Sequence, residues 1–230
     1  MDLCEEEFQY KWIEAAKICE QDLNVELKST ISIAKQWQRI GLCYTFASRQ
    51  ANNVEEFKKI RNLGIEAYKK AAKSYEKSTS VESKDKFNQS LGMAEYLRSW
   101  ITINLEEKRK VLDNCCRFLK NSIQNFKGQQ NKLCYATSAN LLANCIYDQI
   151  SMAQKGEEKL AKAQEGLEIA ENLIRILSQS NYKSELVLAY MWGSIHSWYT
   201  ANIEKKEVNR QRLAEKSLEY FYFLLKSTKF

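Results

Sequence analysis

Residues 37–44 read Trp-Gln-Arg-Ile-Gly-Leu-Cys-Tyr, and the small residue among them, Gly41, recurs along the chain at a nearly constant interval. Small residues inside similar apolar helical patterns follow at Gly92, Ala143 and Gly193, after 51, 51 and 50 residues. Self-similarity with a fixed period of this size is typical of repeat architectures, in which each unit buries its apolar face against its neighbours. The segment therefore predicts an array of units about 51 residues long.

Two further series of residues share this period. Pairs of acidic residues recur every 51 positions, and a second set of small residues recurs after 51, 51 and 48 positions. Three independent series with one period are a stronger signal than any of them alone, and they divide each unit into two helices, A and B. The acidic pairs are Glu55-Glu56, Glu106-Glu107 and Glu157-Glu158, and the small residues are Gly64, Cys115, Gly166 and Ala214.

The acidic pairs are predicted to lie in the first turn of each B helix. Negative charge is favourable there because the N-terminal N–H groups are unpaired and the helix dipole is positive at that end. Asn53 and Asn104 precede the first two pairs and are expected N-caps. Gly156 is expected to take the corresponding place in the third unit.

The composition predicts a helical chain before any pattern is considered. The 230 residues include no proline and only seven glycines, so the strongest helix breaker is missing and few residues are suited to tight turns. We expect one domain over residues 1–230, with an N-terminal helix at 5–21 followed by four hairpins at about 25–77, 84–127, 132–179 and 184–227. The predicted helices cover residues 5–21, 25–50, 54–77, 84–102, 105–127, 132–153, 157–179, 184–202 and 207–227.

Charge and cysteine usage restrict the class of protein further. The formal net charge is +6, with a balance of −5 over residues 1–30, +9 over residues 31–130 and +2 over the remainder. No apolar run is long enough to cross a membrane, and the acidic start differs from a secretory signal, so we expect a cytoplasmic protein. The seven cysteines show no C-x-x-C spacing and are expected to be buried apolar residues, which leaves no predicted metal site.

Two segments carry a family resemblance. Trp37, Gly41 and Tyr44 resemble the W-x₂-L-G-x₂-Y signature of the first helix of a tetratricopeptide repeat, with Ile40 in place of the leucine. Residues 64–71, Gly-Ile-Glu-Ala-Tyr-Lys-Lys-Ala, resemble the second helix of that repeat. The close likeness is confined to residues 34–77, the units are about 51 residues long where the family has about 34, and the closing proline is missing. Long-helix relatives such as vesicle-fusion adaptor proteins resemble the chain equally well.

The resemblance implies an all-α fold: a right-handed α-solenoid of antiparallel hairpins with about nine helices. It also implies that the A helices line a concave groove that binds a partner. Carried over from Trp37, the groove positions are Lys35, Gln38, Thr45, Lys86, Gln89, Tyr96, Asn140, Asn144, Tyr147, Tyr190, Ser194 and Ser197. The alternative reading of these residues is that several of them only contact the next hairpin.

No catalytic arrangement is found in the sequence. His196 is the only histidine, and it shares a helical face with Trp192 and Tyr199, so we expect it to lie in the core or along the groove. No phosphate-binding glycine motif is present. We therefore expect no enzymatic activity and no cofactor.

The C-terminal helix carries six consecutive apolar residues at positions 220–225. The last helix of a repeat array normally presents a polar outer face. We therefore expect this helix to be covered by a second copy of the chain, by further chain or by a partner. The residues predicted for such an oligomer face are Tyr220, Phe221, Phe223 and Leu224.

Two functions follow from the sequence. The first is a non-enzymatic scaffold or adaptor that binds a protein or peptide, and the basic middle favours an acidic partner. The second is a nucleic-acid-binding solenoid in which the basic segment 31–130 contacts phosphates. We prefer the first, because basic and acidic residues alternate in that segment and no unit shows a base-reading code.

Overall fold

The computed structural model describes residues 10–23, 29–124 and 132–227, and in these ranges the regular structure consists of nine α-helices. The all-α class predicted from the sequence is confirmed, and consecutive helices pack against each other within residues 10–124 and within residues 132–227, which is consistent with a solenoid. The helices are α1 (Trp12–Asp22), α2 (Thr30–Ser48), α3 (Val54–Glu76), α4 (Val81–Ile101), α5 (Leu105–Gln124), α6 (Lys132–Met152), α7 (Gly156–Leu177), α8 (Lys183–Ile203) and α9 (Glu207–Ser227).

Three helix starts differ from the prediction by three residues or more. Helix α2 was expected from residue 25 and begins at Thr30, because the Ser29 side chain accepts a hydrogen bond from the N–H of Ser32 and caps it. Tyr10 has a φ of 58°, and α1 begins only at Trp12, whereas a helix from residue 5 was expected. Residues 5–9 of that prediction lie outside the described residues. Helix α4 begins three residues earlier than predicted, because the Ser80 side chain accepts a hydrogen bond from the backbone N–H of Ser83 and caps it.

The predicted asparagine caps are confirmed. The Asn53 side chain accepts a hydrogen bond of 2.8 Å from the N–H of Glu56, and the Asn104 side chain accepts one of 2.9 Å from the N–H of Glu107. In the third repeat, the predicted position of the N-cap was wrong by one residue. The N-cap is Lys155, which makes no side-chain cap, and Gly156 is the first residue of α7.

The chain divides into two compact units, each larger than one 51-residue repeat. From here on, the first unit is residues 1–125 with α1–α5, and the second unit is residues 126–230 with α6–α9. In the first unit each helix packs on the next, and the A helices α2 and α4 also touch. In the second unit each helix likewise packs on the next, and the A helices α6 and α8 touch. The single-domain organisation stays a prediction.

The recurring small residues lie where neighbouring helices approach most closely. A Cβ added to Gly41 would lie 2.9 Å from the Tyr68 ring, and one added to Gly92 would lie 2.6 Å from a methyl carbon of Leu119. In the second unit, a Cβ on Gly193 would lie 2.8 Å from the ring of Tyr220. In each case the side chain comes from the B helix of the same hairpin, 27 positions later. These glycines therefore act as close-packing positions within helices.

The cores of both units are built from small and branched apolar residues. In the first unit, Ala15, Ala16 and Cys19 of α1 pack against Ile40 and Cys43 of α2. In the second unit, a cluster of Ala143, Ala170 and Trp192 joins α6, α7 and α8. The prediction for the cysteines is confirmed for the six that the structure describes, since all of them are buried thiols. Cys4 lies outside the described residues.

Candidate functional site

The predicted groove residues of the first unit largely contact each other. The Gln38 side-chain amide donates to Gln89 Oε1 at 3.3 Å and to the Ser90 hydroxyl at 2.9 Å. Its own Oε1 accepts a bond of 2.9 Å from the Tyr75 hydroxyl, and Lys86 donates to Gln89 Oε1 at 3.2 Å. Gln38 and Gln89 stand 51 positions apart, so equivalent side chains of two successive repeats pair between the A helices α2 and α4. This polar network occupies the face on which a ligand was expected.

The three other predicted residues of the first unit occupy different settings. Lys35 is exposed on α2, where it can meet a partner. Thr45 is buried and donates to the Gly41 carbonyl at 2.8 Å, so its hydroxyl is already used within its own helix. Tyr96 is half-buried on α4 and makes an edge contact with Trp100, with ring centres 6.0 Å apart.

In the second unit the polar positions are also used mostly for packing. Asn140 is buried, and its Nδ2 donates to the Glu185 carbonyl at 3.0 Å, which ties α6 to α8. Ser197 is fully buried. Asn144 is half-buried on α6. Tyr190 stacks on Phe223 with ring centres 5.1 Å apart, and burial raises the pKa of its hydroxyl.

A cleft of about 430 Å³ opens between α6, α8 and α9. Tyr147 is at its wall, with its ring centre 5.7 Å from that of Tyr199. The Ser194 hydroxyl donates a hydrogen bond of 3.0 Å to the Ser217 carbonyl oxygen, and this bond joins α8 to α9. The lining residues are Tyr147, Ser194, Ile195, Trp198, Tyr199, Ser217, Leu218 and Phe221. Two of these, Tyr147 and Ser194, were predicted as groove positions, whereas Phe221 was predicted for the oligomer face.

The most exposed aromatic side chain of this cleft was not predicted. Trp198 is 54% exposed and packs edge-on against Tyr199, with ring centres 5.0 Å apart. Adjacent residues on a helix differ by about 100° in direction, so one of two neighbouring aromatic residues can lie on the solvent side while the other packs on the core. That adjacency was the available signal. The cleft thus presents exposed aromatic area, which is enriched at recognition surfaces.

The apolar run of α9 is divided between two faces. Tyr220 is half-buried where it packs on Gly193, and Phe223 stacks on Tyr190, although 43% of its surface stays exposed. Leu224 is half-buried. Phe221, Leu218 and Tyr222 are exposed, and the first two lie at the edge of the cleft, so α9 keeps an apolar surface that no part of the described chain covers.

His196 lies in the core of the second unit, which is one of the two positions expected from the sequence. Its ring fills the space above Gly166, where an added Cβ would lie 2.3 Å from the imidazole, and its Nε2 lies 3.1 Å from the Ala143 carbonyl oxygen. Burial lowers the pKa to about 4, and the bond to Ala143 and the charge of Glu165 only partly offset this effect. The imidazole is therefore a neutral packing group at pH 7.

One charged residue that the sequence reasoning passed over is buried in the first unit. Arg61 of α3 is 3% exposed, and its guanidinium lies over the rings of Phe57 and Trp100. Sequence patterns could not identify it, because arginine side chains are mostly exposed to solvent.

The comparisons of the chain with known proteins gave no match, and two searches of the described residues were also negative. No protein-family model matches the chain, and no curated protein or solved structure gives a significant match. None of the helices in the described ranges combines the length and apolar character needed to cross a membrane. Within residues 10–23, 29–124 and 132–227, no three histidine, cysteine or acidic side chains are grouped as metal ligands would be.

Proposed function

We propose that the protein is a non-enzymatic, tetratricopeptide-like adaptor that binds a protein or peptide segment in the cleft between α6, α8 and α9. The observation that carries the proposal is the cleft itself, with Trp198 54% exposed and Phe221 47% exposed at its edge. Large aromatic side chains dominate the binding energy of protein interfaces because they bury much area at little entropic cost. Ser194 and Ser217 line the same cleft, but each hydroxyl already donates to the carbonyl oxygen of the other residue, so the exposed aromatic side chains carry the proposal.

The polar network of the first unit supports this choice of surface. Gln38 and Gln89 already satisfy each other, and a partner would have to break their hydrogen bonds to use them. Trp198 has no such internal bond to lose, and covering it removes apolar area from water. The second unit is therefore the better site for a peptide segment.

The nucleic-acid alternative is less well supported by the surface charges. Several basic side chains of the segment 31–130 are paired with glutamates, including Lys69 with Glu66 at 2.9 Å and Lys110 with Glu106 at 3.2 Å. Paired cations contribute less to the counterion release that drives binding to phosphates.

The decisive experiment compares capture of partners by the wild-type protein and by Trp198→Ser. Proteins that co-purify with the wild type from the native cell are identified by mass spectrometry, and their affinity is then measured with purified partner. We expect Trp198→Ser to weaken the affinity at least tenfold, because truncation of a central aromatic residue costs about 2 kcal/mol or more.

Val208→Ser is the control, since Val208 is an apolar residue of α9 that is 78% exposed but does not line the cleft. It should bind as the wild type does, with both variants showing unchanged circular dichroism. Equal affinity of Trp198→Ser and the wild type would refute the cleft as the binding site. Light scattering of the same samples tests whether the apolar outer side of α9 binds a second copy, for which we expect a dimer at micromolar concentration.

A further inference from the structure

The B helices α3 and α7 are each covered by the A helix that follows them. In the first unit, Ile65 of α3 packs in one cluster with Leu97 of α4. In the second unit, Ala170 of α7 packs in one cluster with Trp192 of α8. Within the described residues, only α8 packs extensively on the B helix α9. Helix α9 therefore has an open side where α3 and α7 each receive an A helix.

The open side of α9 carries an apolar row formed by Leu218, Phe221 and Leu225. Their spacing of three and four residues places them on one face of the helix, and they are 59%, 47% and 45% exposed. Lys216 lies two positions before Leu218, which is about 200° around the helix, and it forms an ion pair with Glu171 of α7. The apolar row therefore lies on the side of α9 that faces away from α7.

Two hollows flank this row. The cleft between α6, α8 and α9, with Trp198 in its wall, lies on one flank. A second hollow of about 550 Å³ is lined by Glu215, Leu218, Glu219, Tyr222, Phe223 and Lys226. Leu218 lines both hollows and forms the ridge between them. Packed helices fit the ridges of one into the grooves of the other, so this surface suits a helix lying along α9.

The charges beside the row are distributed along the helix axis. Glu215 and Glu219 line the second hollow on the N-terminal side, and Lys226 lines its C-terminal end. Neither glutamate forms an ion pair with another described residue. A helix antiparallel to α9 would bring its C-terminal half to the two glutamates and its first turn to Lys226.

The helix dipole favours the same arrangement of charges within the bound helix. Basic side chains are stabilised near the C-terminus of a helix, and acidic side chains near its N-terminus. An antiparallel helix with this common charge distribution is thus complementary to Glu215, Glu219 and Lys226. The direction also agrees with the array, since α8 lies antiparallel to α7.

We propose that the apolar row of α9 and the adjoining cleft bind one amphipathic α-helix of a partner protein, which packs antiparallel to α9 as a further A helix would. The bound helix carries apolar side chains three and four residues apart and basic side chains in its C-terminal half. Recognition of a helix by an apolar groove is a recurrent mode of peptide binding. The proposal rests on the proposed adaptor function and narrows it, because the bound segment is helical and has one direction.

The test uses the full chain and a synthetic peptide of about 18 residues, which exceeds the length of the row when helical. The peptide has blocked termini, leucines three and four residues apart, glutamates in its first turn and lysines in its last two turns. Fluorescence anisotropy of the labelled peptide measures the affinity. We expect saturable binding and a helical circular dichroism signal larger than the sum of the two components. Phe221→Ser should weaken the affinity at least tenfold, because the ring is a central apolar contact.

A second peptide of the same composition, with its acidic and basic ends exchanged, tests the direction. The wild type should bind the exchanged peptide about fivefold more weakly at low ionic strength. Glu215→Lys combined with Glu219→Lys should reverse this preference. Equal affinity of the wild type for both peptides would overturn the antiparallel direction.

Val208→Ser is the control for Phe221→Ser, since Val208 is exposed on α9 and lines neither hollow. It should bind the first peptide as the wild type does. No binding of that peptide at millimolar concentration, or equal affinity of Phe221→Ser and the wild type, would overturn the helix site.

A second copy of the chain is the competing occupant of the row. A dimer that Phe221→Ser converts into monomers, and that the peptide does not dissociate, would identify the second copy and overturn the proposal. If the helical peptide fails while Trp198→Ser still weakens the binding of a natural partner, the adaptor function stands and the segment bound in the cleft is not a helix.

Discussion

The two units differ in the type of side chain that packs against the small residue of a B helix. In the first unit, Gly64 is covered by the Leu97 side chain of the next helix. In the second unit, Gly166 is covered by His196, whose ring also bonds to the backbone of Ala143. The same kind of helix crossing therefore tolerates an apolar side chain or a buried imidazole, provided that a carbonyl oxygen is within reach of the ring. The difference gives the second unit a titratable core that the first unit lacks at the corresponding crossing.

The largest expected consequence is a dependence of stability on pH. His196 has a pKa of about 4 in the folded chain and about 6.5 when unfolded, so the unfolded state takes up a proton that the folded state refuses. The stabilising effect of a neutral His196 is present in full above pH 6.5 and is lost as the pH falls towards 4. The loss amounts to about 3 kcal/mol of the free energy of unfolding.

Urea unfolding at pH 7 and pH 4.5 measures this loss, and His196→Leu is the control because it gives the second unit the apolar filling of the first. His196 is the only histidine, so the difference between the two proteins isolates its titration. If both proteins lose the same stability over this range, the imidazole is not held neutral by the fold.

A smaller effect is expected when Gly166 gains a methyl group. In Gly166→Ala the new carbon would lie 2.3–2.5 Å from three atoms of the His196 ring. Overpacking of about 3 kcal/mol, less about 1 kcal/mol gained from helix propensity, gives a net loss of about 2 kcal/mol. Denaturant unfolding followed by circular dichroism measures it.

The comparison is sharpened by Gly64→Ala, in which the new carbon would lie 2.9 Å from the terminal methyl group of Leu97. That methyl group can rotate away, and the gain in helix propensity compensates, so the net change should stay within about 1 kcal/mol. Combining Gly166→Ala with His196→Ala should remove most of the cost, since the ring causes it. Equal losses in the two glycine variants would contradict the distinction between the units.

The smallest effect concerns the inner face of the first unit, where amides pair across equivalent positions. A double-mutant cycle of Gln38→Ala and Gln89→Ala should give a coupling energy of about 1 kcal/mol, because the Gln38 side-chain amide donates a hydrogen bond to Gln89 Oε1. Thermal or urea unfolding of the four proteins provides the measurement. Additive losses would show that the two residues do not interact in solution.

The periodic features of the sequence predicted most of the fold. The recurring glycines marked the helix crossings, and Asn53 and Asn104 marked two helix starts, because these properties depend on one residue and its neighbours along the chain. The start of α4 was predicted too late, since Ser80 looked like part of a serine-rich loop and its capping bond depends on local geometry.

The candidate sites were less accessible to sequence reasoning. Among the positions carried over from Trp37, Gln38 and Asn140 contact a neighbouring A helix. Whether Gln38 meets a ligand or Gln89 depends on the distance between successive repeats. The environment of His196 depends on a backbone carbonyl of Ala143, which no residue type reveals. Arg61 is enclosed by side chains from two helices, so its burial follows from the packing and not from its position in the helical pattern.

The packing of each helix on its neighbours also has a kinetic consequence. Within each unit, the contacts between helices join elements that are one or two positions apart in the chain. Only short loops have to close before these contacts form, which is the condition for folding in microseconds to milliseconds. A chain pulled from one end should accordingly come apart one hairpin at a time, since no long-range pairing locks the first helix of a unit to the last.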